Sequence, residues 1–260
     1  MEPNEPVQKS RLFQVISAHF CDEDTKRYVV YTLKVCHVTR MKMGVSIERR
    51  YTHFLNLYNG LIEEYADLMA PVVFPKKALT GNFDDKLIRT RSIAFETLMQ
   101  HIMGEERLRS SKSLLEFLQE PEMTTAKQLI EQKDYPAAIP ILENTFRILN
   151  NIYTDRSPQV LLVLCRLLSC SFNILGAPNT LKWADLALHR FEGVSDSDLL
   201  LLYVPILFMC KKIWVLNGRD KAGIEQRLED LKRQGMTCTD NVTLMDTIFK
   251  VELILTGTPT

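Results

Sequence analysis

The first part of the chain, from Arg11 to Arg50, favours β-branched and aromatic residues in partial alternation with polar ones. The apolar runs are LFQVISAHF, RYVVYTLKVCHV and later VSIER, and the acidic segment CDEDT separates the first two. Strand-forming runs interrupted by turn-forming residues are typical of antiparallel hairpins. The pattern therefore predicts an antiparallel meander of about three strands at the start of the protein.

At Tyr51 the spacing of apolar residues changes from about two to three and four, which predicts an amphipathic helix. Pro71 and Pro75 then enclose an extended stretch, because each proline fixes its own backbone and disfavours helix in the residue before it. Two further helices are predicted after this proline loop, at 87–103 and 111–118.

Strand signals disappear after a GluProGlu segment at 120–122. Helices separated by short breaks are predicted from there on, at 124–133, 136–152, 158–175, 178–191, 196–216, 220–234 and 241–255. In pairs they repeat roughly every 35 to 40 residues, close to the tetratricopeptide period. The predicted organisation is a flexible N-terminus at 1–7, an α+β domain at 8–120 and an all-α, tetratricopeptide-like domain at 121–260.

Charge and composition limit the function classes that fit the chain. The 32 basic and 32 acidic residues balance, so electrostatic targeting must come from local clusters, and coating of nucleic acid is disfavoured. The six cysteines form no CxxC pair, which favours reduced thiols in a cytoplasmic protein. A secretory signal is missing from the first ten residues, and the apolar run from Leu199 to Met209 is too short to span a bilayer. Membrane contact is therefore expected to be peripheral.

Catalytic motifs are absent from the sequence. It contains no GxSxG, Walker A, GxGxxG or HExxH pattern, and its five histidines are scattered. We therefore expect a protein that is not an enzyme, with no catalytic residue, no metal site and no cofactor. No heptad repeat indicates a coiled coil, so the oligomeric state stays open.

Two arginines stand at the predicted junction between strand and helix, in the segment GluArgArgTyrThrHisPhe. A helix N-terminus presents unpaired N–H groups, and Arg49 and Arg50 add planar donor groups suited to phosphate. Tyr51 supplies a flat face on which a sugar or inositol ring can rest. The simpler alternative for these residues is a solvated strand end followed by a core tyrosine.

Further cations follow on two other predicted elements. Lys76 and Lys77 come directly after the proline loop, and Arg89 and Arg91 open the next helix. All of them flank a short apolar segment, ValValPhe at 72–74. A pocket built by three separate elements is more specific than a single run of charge.

The order ArgArgTyr-x-x-Phe, a proline loop ending in lysine, GlyAsnPheAsp and a helical arginine resembles the PX domain of sorting nexins, over roughly residues 8–120. The resemblance implies phosphoinositide binding, with Arg50 on the 3-phosphate and Tyr51 beneath the inositol ring. It also implies Lys77 on the 1-phosphate and Arg91 on the inositol hydroxyls, with Arg89 as the alternative to Arg91.

Secondary roles are expected for neighbouring residues. Arg49, Lys76 and Arg89 are secondary cations, and the first two are candidates for a 4- or 5-phosphate. Val73, Phe74 and Leu79 are candidates for insertion into a membrane, or else pack on the first helix. The loop departs from the family pattern, because Val72 occupies the position of the first proline and Pro71 lies one residue early.

A PX domain followed by tetratricopeptide-like helices resembles the sorting nexin twenty and twenty-one subgroup, whose C-terminal module is the PX-associated B domain. The resemblance implies a peripheral membrane adaptor on early endosomes. Its PX domain binds a phosphoinositide, phosphatidylinositol 3-phosphate first of all, and its helical domain recruits a protein partner or cargo tail. The alternative is a protein-interaction scaffold with little lipid specificity.

Overall fold

The computed structural model describes residues 13–23, 26–37, 40–78, 81–174, 176–192 and 197–256. The segment 1–7, predicted to be flexible, and the insertion candidate Leu79 lie outside the described residues. The chain divides into two compact units, Met1–Glu120 and Pro121–Thr260.

An antiparallel sheet opens the first unit, with strands β1 (Phe13–Glu23), β2 (Lys26–His37) and β3 (Arg40–Arg50) in the order β1-β2-β3. This confirms the predicted three-stranded meander. Tyr31, Leu33 and Val35 alternate along β2 on the face that is fully buried, as expected for a sheet covered on one side. In the register, Tyr31 lies opposite Arg49 and Leu33 lies opposite Ile47.

Helix α1 (Tyr51–Met69) begins directly after β3, and α2 (Asp85–Gly104) follows an extended segment after α1. The Asp84 carboxylate caps α2 by accepting a hydrogen bond of 3.0 Å from the Leu87 N–H. The rings of Phe54 on α1 and Phe95 on α2 stack with their centroids 3.8 Å apart, and the Tyr31 ring meets Phe95 edge-on at 5.0 Å. These rings hold both helices against the sheet.

The remaining elements are helical, which confirms an α+β region followed by helices. Helix α4 runs through Pro121, so the helices predicted at 111–118 and 124–133 form one continuous helix. The later helices are α3 (Glu106–Arg109), α4 (Lys112–Glu131), α5 (Tyr135–Ile152), α6 (Pro158–Phe172), α7 (Thr180–Phe191), α8 (Ser197–Leu200), α9 (Tyr203–Leu216), α10 (Ala222–Arg233) and α11 (Leu244–Thr256).

Helix α6 is the centre of the second unit, because its residues from Val160 to Ser171 are all buried. It packs against α5, α7 and α11. Arg166 on this helix forms an ion pair with Glu252 on α11, although the Arg166 side chain is almost fully inaccessible to solvent. An ion pair therefore lies within the packing of α6 and α11.

One segment of the second unit, Leu199–Leu216, is long and apolar enough to cross a membrane by length and composition alone. The apolar run is thus longer than the stretch considered from the sequence. It is interrupted by a turn at Leu201 and Leu202, so that α8 and α9 are separate helices where one was predicted. Helix α9 packs against α7, α10 and α11, as a core helix of a globular unit does.

Candidate functional site

A cavity of about 460 Å³ lies where the sheet gives way to helix in the first unit. Strand β3 ends at Arg50, which is paired with Val30, whereas β2 continues for several more residues paired with β1 alone. The end of β2 is therefore uncovered on one side, and the cavity occupies this position. Its lining consists of Arg27, Tyr28, Val29, Arg50, Tyr51, Thr52, Lys77, Asn82, Phe83 and Arg91.

Arg50 and Tyr51 form one wall of the cavity, at the start of α1. The Arg50 backbone N–H donates to His53 Nδ1 over 3.3 Å, which fixes the strand-to-helix turn. The Arg50 guanidinium lies 4.3 Å from the centre of the Tyr28 ring, a stacking contact that directs its N–H edge away from the ring.

The Tyr51 hydroxyl donates a hydrogen bond of 2.8 Å to the Pro75 carbonyl, and so ties the extended loop to the start of α1. Burial raises the pKa of Tyr51, and the nearby Arg91 guanidinium partly offsets this by favouring the phenolate. At neutral pH the phenol is therefore a stable hydrogen-bond donor to the loop.

Arg91 forms the floor of the cavity and is only 3% exposed. Its Nη2 donates to Asn82 Oδ1 over 3.1 Å, and its guanidinium lies 4.2 Å from the Tyr51 ring centre. Burial raises the pKa of Tyr31 too, and the charge of Arg91 again acts in the opposite direction. The guanidinium is thus held in place by the fold before any ligand arrives.

Lys77 is exposed and lines the cavity from the end of the proline loop, whereas Lys76 and Arg89 are exposed but are not among its lining residues. The structure therefore brings Arg50, Tyr51, Lys77 and Arg91 together and leaves these two secondary cations outside.

The expectation that Arg49 is a secondary cation is wrong. Its side chain is 1% exposed, its Nε donates to the Phe117 carbonyl over 2.7 Å and its Nη1 donates to the Glu48 carbonyl over 2.7 Å. Strand alternation is the reason, because Arg49 lies opposite the buried Tyr31 and shares its face of the sheet. Arg49 is committed to the interior and does not reach the cavity.

Val73 and Phe74, two of the candidates for membrane insertion, differ in their exposure and contacts. Val73 is 89% exposed on the loop. The ring of Phe74 instead stacks on Tyr58 of α1 at 4.7 Å and lies 5.7 Å from the Tyr51 ring. Phe74 therefore packs on the first helix and anchors the loop, which favours the second of the two alternatives stated for it over membrane insertion.

Three lining residues of β2 were not predicted from the sequence, namely Arg27, Tyr28 and Val29. They follow the acidic turn and have the appearance of an ordinary strand start. The signal that identifies them is the register, since the end of β2 extends beyond Arg50. Phe83 and Asn82 lie in the GlyAsnPheAsp segment that was noted without individual roles.

The chemistry of the cavity is that of an anion site. Arginine and lysine supply its charged lining, and no aspartate or glutamate is among the described residues that line it. Within the described part of the chain, no group of three or more histidine, cysteine or acidic side chains is suitably placed for a metal ion. Fixed guanidinium groups beside an aromatic face favour a ligand that combines phosphate with a ring.

The fold and this cavity define a PX-domain protein, and the PX domain family model matches residues 37–121. The chain is 29% identical to human sorting nexin-21 over 241 residues, which cover 92% of this chain and 64% of that protein. It is 25% identical to bovine sorting nexin-20 over 221 residues, covering 84% and 69% of the two chains. The PX match and these similarities over most of the chain support a PX sorting nexin of the subgroup of sorting nexins 20 and 21.

A more distant similarity is confined to part of the chain. The fission yeast vacuolar protein sorting-associated protein vps5 is 32% identical over 130 residues, which cover 47% of this chain and 22% of that protein. This chain thus spans about two thirds of the length of sorting nexins 20 and 21, and far less of the yeast protein.

Proposed function

We propose that this protein is a non-catalytic peripheral membrane adaptor. Its first unit binds a phosphoinositide headgroup on early endosomes, and the expected lipid is phosphatidylinositol 3-phosphate. Its helical unit recruits a protein partner or cargo tail. The observation that carries the proposal is the basic cavity that joins Arg50, Tyr51, Lys77 and Arg91.

The proposed roles follow from the position of each side chain in the cavity. Arg50 binds the 3-phosphate through its guanidinium group at the helix start, where backbone N–H groups also favour an anion. Tyr51 supports the inositol ring, and Lys77, on the exposed loop, neutralises the 1-phosphodiester. Arg91 donates to inositol hydroxyls from the floor, where a preorganised donor loses little entropy on binding.

The size of the cavity, about 460 Å³, supports a ligand of headgroup dimensions, since small-molecule sites commonly enclose about 300 to 1,000 Å³. The exposed Val73 supports membrane contact near the same site. It precedes Lys77 by four residues, a distance of at most about 14 Å along the chain. An apolar side chain at this position adds a second membrane contact to the headgroup, as reversible anchoring generally requires.

Co-sedimentation with phosphatidylcholine vesicles that carry one phosphoinositide at a time tests the proposal. Arg50→Gln removes a group expected to make charge-assisted contacts of about 1.5 to 3 kcal/mol, so retention falls about ten- to hundredfold. Arg89→Gln is the matched control, because it removes the same charge from an exposed position outside the cavity.

The result expected is strong retention of the full chain and of Arg89→Gln on vesicles with a 3-phosphate, and loss for Arg50→Gln. Circular dichroism confirms that each variant is folded. Equal retention of both variants would refute the assigned cavity, and retention that ignores the phosphoinositide would favour a scaffold without lipid specificity.

A further inference from the structure

Arg27 is a fourth cation of the cavity, and the roles proposed above do not use it. It projects from the end of β2 that extends beyond β3, opposite Asp22 of β1 in the register. The PX family match begins at residue 37, so Arg27 lies outside the matched stretch. It belongs to the first hairpin, formed by β1 and β2.

Two aromatic rings hold the Arg27 guanidinium in position. Its central carbon lies 4.5 Å from the centre of the Phe20 ring and 5.3 Å from that of Phe83. The two rings meet edge-on, with centroids 5.7 Å apart. Phe20 is the diagonal neighbour of Arg27 across the β1-β2 pair, because it lies opposite Val29.

This arrangement leaves the hydrogen-bonding edge of Arg27 available. Aromatic rings pack against the faces of a guanidinium, whereas its N–H donors point outward in the plane. The acidic neighbour is Asp22 at 3.6 Å, and the two side chains are 53% and 77% exposed. Exposed ion pairs of this kind contribute little free energy, so a doubly charged phosphate can replace the carboxylate.

The charge of the cavity also exceeds what one ring phosphate requires. Arg50, Lys77 and Arg91 are accounted for by a 3-phosphate, the phosphodiester and the ring hydroxyls, and Arg27 adds one more full charge. A second monoester phosphate adds about 1.5 to 2 negative charges. Lys76 and Arg49, the cations first considered for a 4- or 5-phosphate, do not line the cavity.

We propose that Arg27 forms a second phosphate subsite, so that the preferred ligand is an inositol ring with two monoester phosphates, one at Arg50 and one at Arg27. The inference rests on the proposed function and keeps the 3-phosphate at Arg50. It replaces phosphatidylinositol 3-phosphate as the preferred headgroup by one that carries a second ring phosphate. The shared chemistry is the doubly phosphorylated ring, either in a membrane lipid or in a free inositol phosphate.

Calorimetric titration of the full chain with soluble headgroups tests this subsite. The probes are inositol 1,3-bisphosphate, which has one ring monoester besides the 1-phosphate, and the inositol 1,3,4- and 1,3,5-trisphosphates. We expect the wild type to bind one trisphosphate about tenfold more tightly than the bisphosphate. Arg27→Gln is expected to remove this preference while its affinity for the bisphosphate stays within about twofold.

The controls separate the two proposals. Arg89→Gln, which removes an equal charge outside the cavity, is expected to keep the wild-type preference, and Arg50→Gln is expected to lose all three probes. A wild type that binds all probes equally, or an Arg27→Gln variant that keeps the preference, overturns the second subsite and leaves the first proposal intact. Failure of every probe to bind the wild type overturns both.

Vesicles distinguish the source of the headgroup. Retention on vesicles with a doubly phosphorylated phosphatidylinositol, lost in Arg27→Gln and competed by the soluble trisphosphate, supports a lipid ligand at this subsite. If vesicle retention of the wild type is the same for singly and doubly phosphorylated lipids, the lipid form of the proposal is overturned.

Discussion

Replacing Arg91 by methionine tests whether one buried guanidinium serves both the fold and the cavity. Methionine keeps the apolar stem but removes the hydrogen bond to Asn82 and the charge above the Tyr51 ring. A hydrogen bond to a charged group contributes about 1.5 to 3 kcal/mol, and a cation–π contact about 0.5 to 2. Relief of the desolvation cost of a buried charge offsets part of this sum, so we expect a net loss of about 2 kcal/mol.

Arg50→Met is the comparison that separates stability from binding. The Arg50 side chain is only half-buried and stacks on the Tyr28 ring at the cavity wall. Its removal is therefore expected to lower the stability of the first unit by less than about 1 kcal/mol. Both variants are expected to lose soluble headgroup binding, and only Arg91→Met is expected to loosen the fold.

The assay must report on the first unit, and both tryptophans, Trp183 and Trp214, lie in the second. Hydrogen exchange followed by mass spectrometry resolves the two units in the full chain. A loss of about 2 kcal/mol corresponds to exchange about thirtyfold faster for the most protected amides of α2 and β2. Unchanged exchange in Arg91→Met, or equal acceleration in both variants, would refute the dual role of Arg91.

Two further predictions concern the loop and the helical unit. Val73→Glu is expected to lower vesicle retention several-fold while leaving the affinity for soluble headgroups unchanged, because the side chain is exposed. Val73→Leu, which keeps an apolar side chain, is the control. Equal effects of Val73→Glu on both measurements would contradict membrane insertion. Glu252→Gln is expected to lower the free energy of unfolding by about 3 kcal/mol, because it leaves the Arg166 charge buried without its acidic partner. Urea titrations followed by tryptophan fluorescence measure this loss. Glu229→Gln breaks an exposed pair and is expected to cost less than about 0.5 kcal/mol, so similar losses in both variants would contradict the importance of the buried pair.

The sheet and the change to helix at Tyr51 were predictable because both follow from local spacing of apolar residues. Strand alternation also held the information that separates Arg49 from Arg50, since Ile47 and Arg49 share one face of β3 and Ile47 is buried. Charge alone does not distinguish the two arginines, so both were expected near the ligand. Side-chain direction along the strand, rather than charge, decides which of them is available.

The fate of Phe74 depends on a partner that local spacing does not identify. An apolar residue in a loop has the same local pattern whether it enters a membrane or packs on the protein. The stacking of Phe74 on Tyr58, sixteen residues earlier in the chain, decides between these outcomes. Val73, its neighbour, meets no such ring and stays exposed.

Arg27 was not predictable for a different reason. Its entry into the cavity depends on where β3 leaves the sheet relative to the end of β2, and that is a property of strand register. The start of α1 supplies Arg50 and Tyr51 to the cavity, and the loop supplies Lys77. The first hairpin lies outside the matched family stretch and supplies Arg27 and its supporting ring, Phe20. Substitutions in this hairpin can therefore change the preferred headgroup while Arg50 and Tyr51 stay the same.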